Sequence, residues 1–153
     1  MQRLVCKLSM QSGLTVNQTA MAPSVQPRRT ILVVDDFDDT RLLLRTWLER
    51  RGFRVVEAAD GVEAVNSAIT ELPDLIIMDM EMPQLDGLSA TRRIRQVNAL
   101  RTVPIVAVSA YGADQFRELA LEAGCDEYVS TPFEPKALER IIRTLLEVEP
   151  TLS

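Results

Sequence analysis

Five times from Thr30 onward, a short apolar run is followed by a stretch with helical spacing, and this alternation constrains the chain more than any other feature. The runs are TILVVD (30–35), FRVVEA (53–58), DLIIMD (74–79), VPIVAVS (103–109) and the weaker DEYV (126–129). Three of them are nearly continuous in Val, Ile and Leu. Strands buried on both faces look like this because helices cover each side of the sheet, whereas half-exposed strands alternate. Repeated strand–helix units predict a parallel sheet. Five such units, each with a right-handed crossover, fit an open doubly wound sheet; a closed barrel needs about eight. The expected class is α/β, a three-layer sandwich with the sheet in the middle.

The intervening segments carry one apolar stripe each: Val62, Val65, Ile69 and Leu72; Phe116, Leu119, Ala120 and Ala123; Leu138, Ile141, Ile142, Leu145 and Leu146. These stripes are expected to face the sheet. Gly52 and Gly124 stand where C-terminal caps belong, and Pro73 stops the second helix. Residues 1–28 lack sustained periodicity, are rich in Gln, Ser, Thr and Asn, and end in APSVQPRR, so a flexible tail is expected there, with Met21 a candidate natural start. The folded domain is expected over 29–149, with a short tail at 150–153.

The 153 residues suffice for one well-cored domain. The longest apolar runs, ILVV and LIIM, fall far short of the roughly 18–20 residues that cross a bilayer, so no membrane insertion is expected. Lys7, Ser9 and Gln11 break up the apolar character of the first residues, which argues against export. Two cysteines, Cys6 and Cys125, are too few and too unpatterned for a disulfide framework or a zinc site; a cytoplasmic protein fits best. A net charge of −5 argues against direct binding to nucleic acid, where a basic face supplies most of the affinity. The chain has no histidine, which removes Ser/His/Asp and Cys/His nucleophile schemes and imidazole metal ligands. Its chemistry must rest on carboxylates and hydroxyls.

In open α/β sheets, ligands bind outside the carboxyl ends of the strands. Those ends are acidic here: Asp35 and Asp36 close the first run, Asp79 followed by Glu81 the third, and Ser109 the fourth. A single strand-end Asp commonly caps a helix or makes a turn, and that reading is adopted for Asp38 and Asp39. Three carboxylates converging from neighbouring strands are different, because like charges a few ångströms apart raise one another's pKa and oppose folding unless a cation joins them. An all-oxygen ligand set points to Mg²⁺.

The segments VVDDFDDTRLLL, LIIMDMEMPQLDG, VAVSAYG and AGCDEYVSTPF, in this order and spacing, resemble the CheY-like receiver domain of bacterial two-component response regulators. The resemblance spans about residues 29–148. It implies a flavodoxin-like (βα)5 sandwich with sheet order 2-1-3-4-5, an order for which the chemotaxis receiver is a standing example. It implies a phosphorelay signalling role, with Asp79 as phosphoacceptor for a sensor histidine kinase or phosphotransfer protein. Asp35, Asp36, Asp79 and the Glu81 backbone carbonyl would hold Mg²⁺. Ser109 would be the switch hydroxyl and Tyr128 the aromatic that turns inward afterwards. Such a domain is not an enzyme beyond self-phosphorylation and self-dephosphorylation. The family also implies a cis peptide before Pro132 and a docking surface for a downstream protein target over about residues 112–147; with no output domain expected after the last helix, the signal would leave through that surface.

One position departs from the family pattern: Thr131 stands where a lysine is usual. That ammonium would pair with the acceptor and then with the phosphoryl group, whose arrival brings about two negative charges. Thr131 offers only a hydroxyl, Glu81 enlarges the deficit, and Lys136 at the next helix's start is expected to face solvent. Either phosphorylation persists with weaker coupling to the switch, or the chain is a pseudo-receiver, a docking module that works without phosphoryl transfer. Two readings from other classes fit less well. An aspartate-nucleophile phosphatase would want a second Asp where Glu81 stands, and neither G-x-x-x-x-G-K nor G-x-G-x-x-G occurs to cradle a nucleotide.

Overall fold

A computed structural model describes residues 27–110, 112 and 114–147. The expected tails, 1–28 and 150–153, lie outside the described residues except for Pro27 and Arg28. Five strands alternate with five helices: β1 (Thr30–Val34), α1 (Asp38–Glu49), β2 (Arg54–Ala58), α2 (Gly61–Glu71), β3 (Leu75–Asp79), α3 (Gly87–Arg95), β4 (Ile105–Ser109), α4 (Asp114–Ala123), β5 (Glu127–Ser130) and α5 (Pro135–Leu146). A 3-10 turn, Asn98–Leu100, precedes β4. All pairings are parallel and the order is β2-β1-β3-β4-β5, the flavodoxin-like arrangement expected.

The central strands are buried because both faces are covered. Ile31 and Val33 of β1, Leu75 and Ile77 of β3 and Val106 of β4 pack beneath α1 and α5 against Leu48, Leu138, Ile142 and Leu146. Leu32, Val34, Ile76, Met78, Ile105 and Ala107 point the other way, toward Ala64, Ala68, Ala90, Ile94 and Ala120. Successive side chains thus feed two cores, and the runs read as continuous for that reason.

The stripe expected on α5 is the core face, with Leu138, Ile142 and Leu146 buried. On α2 the expected face is right only at Val65, which packs against the core. Val62, Ile69 and Leu72 are exposed, and Gly61, Ala64 and Ala68 lie inward. The cause is close approach: a Cβ on Gly61 would sit 2.1 Å from the Leu85 carbonyl oxygen, so this helix meets its neighbours through its smallest residues. On α4, likewise, Ala120 and Ala123 are buried whereas Leu119 is exposed.

Helix ends follow local chemistry. The Asp60 carboxylate accepts the Glu63 N–H at 2.8 Å to cap α2, and Asp86 accepts the Ser89 N–H at 2.8 Å to cap α3. Asp38 and Asp39 do not cap α1, contrary to expectation. They are already helical, in its first turn, where their charge favours the helix dipole, and the N-cap position belongs to Phe37. Gly52 and Gly124 both take positive φ beyond helix ends, as expected.

Candidate functional site

The sheet order makes β1 and β3 neighbours, so the acids that close them meet at one end of the sheet. Asp35, Asp36 and Asp79 each offer a carboxylate oxygen, and these oxygens lie within 4.8 Å of one another. Burial and mutual repulsion both act on them. The Asp79 carboxyl is raised from 3.8 to about 7, chiefly by burial. The Glu81 N–H, 3.0 Å from its Oδ1, pulls the other way, and the charges of Asp35, Asp36 and Glu81 push upward again. Asp35 is raised too, first by burial and then by Asp36; the Phe37 N–H at 2.8 Å and the Arg41 charge oppose this. Asp36 Oδ1 is buried and has no hydrogen-bond partner among the described residues. A buried carboxylate oxygen in that condition is costly unless something cationic faces it. An all-oxygen donor set with one orphaned oxygen suits a hard divalent ion.

Glu81 stands two residues beyond Asp79, and its side chain turns toward β4, where Oε2 accepts the Ser109 hydroxyl at 2.5 Å. Sequence reasoning placed a negative charge beside the acceptor but not this bond. Spacing alone does not choose a rotamer. Tyr128 is buried, with its ring centroid 6.3 Å from that of Phe116, so the aromatic already occupies an inward position.

Thr131 follows β5 directly; its N–H donates to the Ser109 carbonyl at 2.8 Å, and the peptide to Pro132 is cis, as expected. Arg41 touches this end of the sheet, but its carboxylate partners are Glu57 and Asp38. Its Nη1 donates to the Asp35 carbonyl at 2.7 Å, Nε to Glu57 at 3.2 Å and Nη2 to Asp38. Lys136 is exposed, as expected.

Beside the acids lies a cavity of about 540 Å³ between α1 and the β5–α5 turn. Asp35, Asp79, Glu81, Ser109 and Thr131 line one part of it, and Phe37, Leu43, Trp47, Phe133 and Leu138 much of the rest. No Lys or Arg lines it among the described residues. Sequence reasoning missed these apolar walls, which come from segments far apart in the chain. Gly87 opens α3 beside the acids. A Cβ there would sit 2.3 Å from the Asp79 carbonyl oxygen, so glycine lets the start of α3 lie against the end of β3.

Residues 31–143 match the family model of the response regulator receiver domain. The chain is 41% identical over 122 residues to a probable transcriptional regulator, ycf27, of Guillardia theta, covering 80% of this chain and 47% of that protein. It is 38% identical over 118 residues to the alkaline phosphatase synthesis transcriptional regulatory protein PhoP of Bacillus subtilis, covering 77% and 48%. It thus spans about half the length of these relatives. Among solved structures, it resembles the receiver domain of sensor histidine kinase PA1611 from Pseudomonas aeruginosa PAO1, at TM-score 0.74 and 38% identity over 79% of this chain and 99% of that one. That crystal structure has a magnesium ion coordinated in its active-site cleft.

Proposed function

This chain belongs to the response regulator receiver family, and on that footing we propose that Asp79 accepts a phosphoryl group in a His-to-Asp phosphorelay read by a protein partner. The observation that carries this reading is the meeting of Asp35, Asp36 and Asp79 within 4.8 Å, with Asp36 Oδ1 buried and unpartnered among the described residues. Asp35, Asp36, Asp79 and the Glu81 backbone carbonyl would hold Mg²⁺. When bound, the ion supplies positive charge against the carboxylates and the incoming phosphoryl oxygens.

The chain's own residues account for the rest. The Glu81 N–H fixes Asp79 through Oδ1 and favours its ionised, nucleophilic form. A carboxylate oxygen of Asp79 bonds to phosphorus as the phosphorus–nitrogen bond of the donor's phosphohistidine breaks, and the imidazole leaves with the electron pair. Ser109 is the hydroxyl that then bonds the phosphoryl oxygens. To do so, it must exchange its bond to Glu81. Tyr128 and α4, β5 and α5 would carry the change to a downstream protein, with Leu119 and Leu121 of α4 exposed for contact. The donor would be a sensor histidine kinase or phosphotransfer protein, met in the cytoplasm.

A second reading, a pseudo-receiver that docks partners without phosphoryl transfer, is favoured by one observation. The described residues lining the cavity beside Asp79 include no cation, and Thr131 supplies none. Intact-mass measurement after incubation with Mg²⁺ and acetyl phosphate separates the two. A phosphate-sized gain in the native chain that Asp79→Asn abolishes supports phosphoryl transfer. No gain with acetyl phosphate or with kinase-containing extracts leaves the docking module.

A further inference from the structure

We propose that the cavity between α1 and the β5–α5 turn binds a small organic cation, an ammonium or guanidinium group carried on an apolar or aromatic body. Its volume, about 540 Å³, falls within the roughly 300–1,000 Å³ of small-molecule sites, which pair mostly apolar walls with a few placed polar groups. Both halves of that description are present. Phe37, Leu43, Trp47 and Phe133 form an apolar wall, and Asp35, Asp79 and Glu81 supply three carboxylates.

Charge decides the class of ligand. With Asp35 and Asp79 turned to a divalent ion, Glu81 is the acid left facing the cavity, and no base lines it among the described residues, so a cationic head group is the one that finds a partner there. Glu81 is the natural anchor. It stands outside the three-carboxylate group that would take a divalent ion, and Asp36 does not line the cavity. Glu81 gives Oε2 to Ser109, so an ammonium can meet Oε1.

The walls suit a body rather than a bare head group. Phe37 and Leu43 are 66% and 70% exposed, large apolar surface that an occupant would cover. Trp47 is held in place, because the Arg51 guanidinium lies 4.0 Å from its ring centroid and Arg51 Nε donates to Glu139 at 3.0 Å. The inference goes beyond phosphoryl transfer and does not require Asp79 to be phosphorylated.

Trp47 is the chain's only tryptophan, so its fluorescence reports on this cavity. The test titrates the full chain with 4-phenylbutylamine under saturating Mg²⁺ and no phosphodonor. Comparators are 4-phenylbutanol, which keeps the body without the charge, and n-butylamine, which keeps the charge without the body. The expected result is a saturable change for 4-phenylbutylamine, with Kd at least about tenfold below either comparator. Thr131→Lys, which enlarges a residue lining the cavity and offers Glu81 a tethered competing ammonium, should weaken binding by about tenfold or more. Leu43→Asn, at an exposed position where circular dichroism should show the fold unchanged, should weaken it as well. Equal affinity for all three probes, no saturable change, or binding unaffected by either substitution would overturn the proposal. Because no phosphodonor is present, a chain that binds the amine yet never gains phosphate retains this inference and loses the phosphorelay reading.

Discussion

Asp79→Asn should stabilise the ion-free protein at alkaline pH, although it removes the residue proposed to do the chemistry. The Asp79 carboxyl is raised from 3.8 to about 7 in the fold. The folded state therefore holds this proton more tightly than the unfolded chain, and the ionised form is the destabilising one. The contribution of this carboxyl to stability is full below about pH 4, is lost as pH rises toward about 7, and stays lost above that. That difference corresponds to about 4 kcal/mol. Asp79 is only half-buried, and solvent screening reduces the expected effect to about 2 kcal/mol. Asn keeps an oxygen for the Glu81 N–H and loses the charge. Urea denaturation in EDTA at about pH 4 and about pH 8 should show the variant level with the native chain at the lower pH and about 2 kcal/mol more stable at the higher. Saturating Mg²⁺ should reverse that order at the higher pH, because the ion stabilises a native site that retains all its carboxylates; at a hundred times Kd the gain is about 2.7 kcal/mol. A variant no more stable than the native chain at about pH 8, or an advantage that does not grow between about pH 4 and about pH 8, would refute the reasoning.

Other substitutions probe neighbouring parts of the site. Thr131→Lys should enlarge the amide chemical-shift changes that accompany phosphorylation while changing the Mg²⁺ Kd less than about threefold, since the ammonium meets phosphoryl oxygens rather than the ion. Glu81→Gln removes one of the charges that raise Asp79, so carbon-13 titration of that carboxyl should give a lower value than in the native chain. Gly87→Ala should cost about 1–3 kcal/mol in urea denaturation and weaken Mg²⁺ uptake by calorimetry, because the new methyl collides with the backbone at Asp79 and Met80.

The runs ending in Asp35, Asp79 and Ser109 were legible because a strand buried on both faces must be apolar throughout. The acids at their ends followed from chain direction in a parallel sheet. The inner face of α2 was not legible. A helix that packs closely selects Gly61, Ala64 and Ala68, which make no apolar stripe, while Val62 and Ile69 mimic one on the solvent side. Legible too was the shortage of positive charge at Thr131, since a missing lysine can be read from one position. The cavity beside it was not, because Phe37 and Trp47 meet Phe133 only through the tertiary fold. The Glu81–Ser109 bond depends on a rotamer, set by where two strands place their last side chains.

Reductive trapping tests the central claim most directly. After incubation with acetyl phosphate, borohydride converts an aspartyl phosphate to homoserine, which peptide mass spectrometry locates by residue. Homoserine at position 79, formed with Mg²⁺ and absent when EDTA replaces it, is the expected result. Homoserine at Asp35 or Asp36 instead, or at no position under any donor, would contradict the assignment of Asp79 as the acceptor.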